Sequence, residues 1–294
     1  MRKAGGVTPT RDQIRHAYIA ACLGEIQALK PGNVHRFADG HRMTATQFLD
    51  SAEISADPLT DPALRVGRRI RDAVAMTRER VGTNTNLGIL LLCAPLAKAA
   101  EKPGRDLRRN VAQVLDTLDR DDARDVFAAI RLAQPGGLGS AEKHDVSEEP
   151  EVGLLEAMQE AAHRDMIARQ YVTGFADIFD IGLSAHATAL ARDEKDMWPI
   201  VFVYLDFLSR FPDSHVARKH GAAVAEQIRA EAETIRESAA EMRDGTEREK
   251  LLLAFDKKLK ADGINPGTSA DLTVATLFAH GIINLVLHNR GVNG

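Results

Sequence analysis

The chain has 294 residues, with 38 Lys and Arg against 42 Asp and Glu and a formal net charge of −4. That length allows one large domain or two small ones, at roughly 100–200 residues each, and is ample for a buried core. A charge this weak, with both signs interspersed, argues against nucleic-acid or membrane-surface partners, which need a concentrated basic face. It leaves open a local basic pocket for a phosphorylated small molecule.

The N-terminus, MRKAGGVTPTRDQ, lacks the apolar core of a signal peptide, and residues 1–12 read as a flexible tail. From 13 to 290 the reading is a single all-helical domain. In RDQIRHAYIAACLGEIQAL, Ile14, Tyr18, Cys22, Ile26 and Leu29 share one helical face. Similar patterning recurs near 44–54, 63–80, 87–100, 106–119, 122–133, 151–170, 172–190, 196–210, 217–240, 247–260 and 270–288. VFVYL (201–205) is strand-like but lies within a helical pattern, so it is assigned helix. No unbroken apolar run approaches the ~18–20 residues of a membrane span; LGILLLCAPLAKAA is interrupted by Pro95 and Lys98. Cys22 and Cys93 sit in apolar segments and read as buried, reduced thiols, which fits a reducing, cytoplasmic compartment. No fixed-period repeat is present, which argues against a solenoid. The expected fold is all-α: a multi-helix, bundle-like domain with a polar pocket built from interhelical loops.

Five of the loops carry chemistry. KPGNVHRFADGHRM holds Lys30, His35, Arg36, Asp39, His41 and Arg42, offering phosphate-binding cations and two imidazoles that can carry protons. In GTNTNLGILLL, Gly82 suits a left-handed helix C-cap, and one of Thr83, Asn84, Thr85 and Asn86 suffices to cap the next helix. The surplus points at a ligand near a helix start. The glycines of GGLGSAEKHDV permit close backbone approach or a mobile lid, and Glu142 lies among them. In FPDSHVARKHG, Asp213 or Ser214 serves as a cap. In NPGTSADL, Thr268 to Asp271 resembles a capping box, and Asp271 alternatively suits a hard cation such as Mg²⁺. Between the third and fourth loops, RDMIARQYVTG places Asp165 and Arg169 at i, i+4, the spacing of a helical ion pair.

Taken together, these stretches resemble the triphosphoribosyl-dephospho-CoA synthase family. The matching segments are KPGNVHRFADGH, GTNTNLG, GGLGSAEKHDV, RDMIARQYVTGFADIF, FPDSHVARKHG and NPGTSADL, in the family's order over roughly residues 15–285. The resemblance implies an all-helical enzyme that joins ATP to 3′-dephospho-CoA and releases adenine. It implies Asp271, with Asp213 and Glu142, as Mg²⁺ ligands. Lys30, Arg36 and Arg42 would contact phosphates, and Asn84 and Thr85 would line the nucleotide site. Asn86, Asp165, Arg169, His215, Asn265 and Ser269 complete that binding set. Asp39 or His41 would serve as base, with Asp271 also counted as catalytic.

Two positions depart from the pattern. Many members carry a His-Lys pair where this chain has Asn86-Leu87, and an acidic residue where it has Met43. The acceptor is therefore either dephospho-CoA or a pterin-like compound of one-carbon cofactor biosynthesis. A homodimer stays open. The functional reading requires residues 30–42, 82–86, 139–145, 213–220 and 265–271 to converge on one nucleotide-sized hollow.

Overall fold

The computed structural model describes residues 8–40, 43–135 and 145–288. They form fourteen α-helices, with two isolated β-bridges and no strand. Helix α1 (Arg11–Gln27) starts within the expected tail, because Thr10 and Gln13 form a capping box. Its buried face is the predicted one, Ile14, Tyr18, Cys22 and Ile26, with Glu25 added. Helices α2 (Ala45–Leu59), α3 (Val66–Val81) and α4 (Leu87–Ala100) follow. Gly82 ends α3 at φ +78°, the left-handed cap its position implied.

Helix α4 is buried on nearly every side. Pro95, in its interior, cannot donate to the carbonyl of Leu91. The Tyr171 hydroxyl donates to that carbonyl instead, at 2.6 Å. Cys22 and Cys93 are buried free thiols that form no disulfide.

Helices α5 (Leu107–Leu115) and α6 (Arg120–Ala133) precede a region where broad helical patterns break into shorter pieces. The 151–170 pattern divides into α7 (Leu154–Ala161) and α8 (Met166–Thr173), because Asp165 caps the second from its side chain. Beyond α8, Gly174 and Phe175 take positive φ, and a π-helical turn (Asp177–Gly182) leads into α9 (Leu183–Ala191). Helix α10 (Trp198–Arg210) contains VFVYL as helix. Gly221, at φ +92°, separates α11 (Ser214–His220) from α12 (Ala222–Glu241). Helices α13 (Gly245–Ala261) and α14 (Gly267–His288) complete the chain.

Helix α14 is the central post, packed against α1, α4 and α10. Its buried Thr273 and Thr276 donate to the carbonyls of Ser269 and Leu272, so they add no unpaired hydroxyl. The stretch Gly267–Leu287 has mean hydropathy 1.6 and is long and apolar enough to cross a membrane. This corrects the expectation that no segment reaches that length, because the expectation counted only unbroken apolar runs. Half of this helix is buried inside the protein, as a core post requires. One core joins α1–α8 to α14, and a second joins α10, α12 and α13 to Ala28 and Leu29.

Candidate functional site

A cavity of about 850 Å³ opens where the ends of α4, α7, α8, α11 and α14 meet. All five predicted stretches reach it: through Asn33, through Thr83 to Thr85, through Asp145, through His215 and Arg218, and through Asn265 and Asp271. The remaining members of the third stretch, Glu142 among them, lie outside the described residues, as do His41 and Arg42.

Asp271 is the cavity's most exceptional group. It accepts no hydrogen bond from any described residue, and caps nothing, which corrects the capping-box expectation. Helix α14 begins four residues earlier, and its first turn is served by Asp213, which accepts from Ser269 N at 2.8 Å. Burial, then the nearby charges of Glu25 and Asp213, push the Asp271 carboxyl well above the usual carboxylate range, against the opposing pull of Arg218. Its place is cleared by Gly88 on α4. A Cβ there would lie 1.9 Å from Asp271 Oδ2 and 2.5 Å from Cγ. Gly88→Ala should therefore swing the carboxylate away and lower turnover by about 10²-fold, the cost of a misplaced group. Unchanged turnover in steady-state assays would show that the carboxylate's position is immaterial.

Glu25, which the sequence reading did not single out, also lines the cavity. Burial raises its pKa, and Lys30 opposes that. Lys30 is fully buried, bonded to Glu25, to Asn33 Oδ1 at 3.1 Å and to the Val34 carbonyl at 2.8 Å. It cannot contact phosphates, and the predicted role is corrected: the amino group holds a cavity carboxylate instead. Asn33 continues the chain of contacts, its Nδ2 donating to Asn265 Oδ1 at 2.8 Å. The loop after α1 and the turn before α14 are thereby fastened together at the cavity floor.

The rest of the KPGNVHRFADGHRM cluster points elsewhere. Arg36 is exposed and stacks over the Phe37 ring at 4.5 Å. Asp39 accepts from Ala45 N at 3.1 Å, at the start of α2. Neither lines the cavity, so Asp39 as base and Arg36 as phosphate contact are both corrected. His35 is buried, 3.3 Å from Asp256 Oδ1, and burial lowers its pKa. It latches the loop to α13.

The surplus of polar residues in GTNTN is mostly structural. Asn84 Oδ1 accepts from Leu87 N at 3.1 Å, at the head of α4. Thr85 shares a hydrogen bond of 2.5 Å with Ser51. Asn86 is buried and donates toward Ser55 and Thr77, so its predicted nucleotide contact is corrected. Thr83, Asn84 and Thr85 do line the cavity.

Asp213 is likewise committed. One carboxylate oxygen accepts from His215 N and Val216 N, the other from Ser269 N and Oγ. Four donors leave it no vacancy as a metal ligand, and Ser269 is spent on the same cap; both expectations are corrected. Asp165 does not pair with Arg169. It receives Arg218 Nη1 at 2.6 Å within the cavity wall, whereas Arg169 pairs with Asp177 away from the cavity. Tertiary partners override the i, i+4 spacing because both carboxylates are already oriented, Asp165 by capping α8. His215 and Asn265 line the cavity.

The opposite wall is apolar, formed by Phe127 and Ile130 of α6 and Ala157, Met158 and Ala161 of α7. None of them is singled out in the sequence analysis. Only Phe127 carried a hint, since it lies one position off the inward stripe of Val126, Ala129 and Ala133.

The cavity thus joins the carboxylates of Asp271, Glu25, Asp165, Glu160 and Asp145, cationic side chains at Arg78, Arg164, Arg218 and Lys219, and an apolar extension. Among the described residues no group of three or more His, Cys, Asp or Glu is placed to hold a metal ion alone. The profile of the ATP:dephospho-CoA triphosphoribosyl transferase family matches residues 11–289. A crystal structure from Archaeoglobus fulgidus, of a protein assigned as a triphosphoribosyl-dephospho-CoA synthase, is similar at 28% identity and TM-score 0.60. The match covers 79% of this chain and 96% of that one. No curated protein matches this sequence. The chain belongs to the ATP:dephospho-CoA triphosphoribosyl transferase family and is a transferase enzyme.

Proposed function

We propose that the enzyme moves the 5-triphosphoribosyl group of ATP onto the ribose 2′-hydroxyl of 3′-dephospho-CoA and releases adenine. The bond from the acceptor oxygen to C1′ forms as the bond from C1′ to adenine breaks. The proton lost by the hydroxyl is balanced by the proton gained by adenine. The observation that carries this reading is Asp271, a half-buried carboxylate in the cavity wall with a raised pKa and no hydrogen bond from the described protein. Such a group is suited to accept the hydroxyl proton. Arg218, oriented by Asp165, and Lys219 and Arg164 beside it supply charge for the triphosphate. His215, which lines the same cavity, would supply a proton to the departing base.

Mg²⁺ fits the residues present. In nucleotide sites it takes one or two carboxylates and fills its sphere with substrate phosphates and water. Asp271 and Glu25 provide that donor set. When bound, the ion would neutralise triphosphate charge.

The test is incubation with ATP, Mg²⁺ and 3′-dephospho-CoA, with adenine as the product followed. Release that depends on both substrates is the expected result; none, beside an active family member as control, would remove the assignment. A second reading keeps the transfer but replaces the acceptor with a pterin- or folate-like compound. Its support is that Met43 and Leu87, uncharged where many relatives are charged, both line the cavity. Thermal shifts with the two acceptor classes separate the readings.

A further inference from the structure

We infer that the α6–α7 end of the cavity is the seat for an uncharged, extended arm of the acceptor, the part of dephospho-CoA beyond its diphosphate. This rests on the transferase reading above and assigns a part of the site that the chemistry at C1′ does not use.

The argument begins with an imbalance. Asp271, Glu25, His215 and the Arg218–Asp165 pair gather the groups that the transfer uses, while Glu160, Arg78 and Asp145 also line the cavity. The opposite wall presents Phe127, Ile130, Ala157, Met158 and Ala161. A triphosphate or a ribose gains nothing from such a wall, because desolvating charge or hydroxyls against it is costly. An uncharged chain gains apolar contact there.

Phe127 strengthens the case. It is buried to 4% exposure, yet it belongs to none of the three core clusters. Its ring is therefore held in the cavity wall rather than spent on the interior. On α7, Ala157 and Ala161 stand one turn apart, and such small side chains at i, i+4 keep a groove open along the helix. That helix runs for about 12 Å, from the apolar wall toward Arg164 and Asp165, which follow its last turn. An acceptor laid along it would have its arm over Ala157 and Ala161 and its diphosphate past the helix's last turn, sharing with the triphosphate the cationic wall of Arg164, Arg218 and Lys219. The arm also contains amides. Asn84 and Thr83 line the cavity, and neither the Asn84 amide nitrogen nor the Thr83 hydroxyl donates to a described residue, so both can serve such groups.

The experiment uses 4′-phosphopantetheine, which carries the arm and one phosphate but no adenosine, and so cannot occupy an ATP site through its base. Its binding to the full chain is measured by calorimetry, which needs no turnover. It should bind, and Ala161→Phe, filling the groove, should weaken it by about tenfold while leaving ATP affinity unchanged. Phe127→Leu, a milder change should Ala161→Phe fail to fold, should weaken it by about threefold. No binding, or equal binding by wild type and a folded variant, overturns the inference. Adenine release from ATP and dephospho-CoA is assayed separately. Release without an effect on the arm fragment sinks this inference alone, and loss of release with the effect intact sinks the reaction alone.

Discussion

Asp271→Asn should reduce turnover by about 10³-fold, within the range set by loss of a positioned proton acceptor, without destabilising the protein at neutral pH. The carboxylate lines the cavity without a hydrogen bond from the described protein, and its pKa is raised well above the ordinary value, by burial first and then by Glu25. The sign of the linkage follows. A carboxyl whose folded pKa is raised binds its proton more tightly when folded. Its contribution is most favourable below the unfolded pKa and is lost as pH rises through the folded pKa. At neutral pH the wild type therefore carries a penalty that the amide does not, and the variant's Tm should equal or exceed the wild-type value. The Tm difference should widen from acid toward neutral pH. Thermal melts across that range, beside adenine-release kinetics, read both effects. A variant that melts lower at every pH would show that Asp271 is a stabilising cap after all. Stability gained with activity lost is the expected signature of a functional group held in an unfavourable place.

Lys30→Met should cost about 3–5 kcal/mol in urea unfolding, because removing one member of a buried ion pair leaves the other uncompensated. Lys30 is fully buried against Glu25, and it also holds Asn33 and the Val34 carbonyl. Adding Glu25→Gln should return a substantial part of the loss, since a buried pair replaced on both sides is often neutral. Activity should not return with it, because Glu25 lines the cavity beside Asp271. A phosphate-contacting Lys30 predicts the opposite pattern: ordinary stability and a raised KM for ATP. The two measurements together separate a positioning lysine from a substrate-binding one.

These cases show where sequence reading succeeds and where it stops. The helical class was legible because apolar residues recur every three to four positions, and that period is a property of the local chain. Ile14, Tyr18, Cys22 and Ile26 face inward as their spacing required. Gly82 takes the positive φ its place implied. Breaks inside long apolar patterns were harder to see. The 217–240 pattern runs through Gly221, yet that residue's φ of +92° ends one helix and begins another.

The site was legible as a set of loops and much less so as roles. Polar, glycine-bearing stretches after α1, before α4, around Asp213 and before α14 all reach one cavity. Which side chains point into it depended on partners far along the chain. Asp213, 56 residues from Ser269, spends its carboxylate on that residue's helix start. Asn86 turns to Ser55 and Thr77 rather than outward. Lys30 looked like a phosphate cation and lies sealed against Glu25, which looked like an ordinary position on the first helix.

The sequence by itself determined an all-helical chain, its two buried thiols and the polar segments that border the cavity, because periodicity, capping and turn chemistry act over a few residues. Only the tertiary structure decided which carboxylates are spent on caps and pairs and that Asp271, half-buried in the cavity wall, is not. A hydrogen bond or ion pair costs the chain nothing in sequence distance, so a polar side chain's partner is fixed by how the helices pack. Asp271 stands apart because Gly88, on another helix, gives it room and nothing in the described protein gives it a donor.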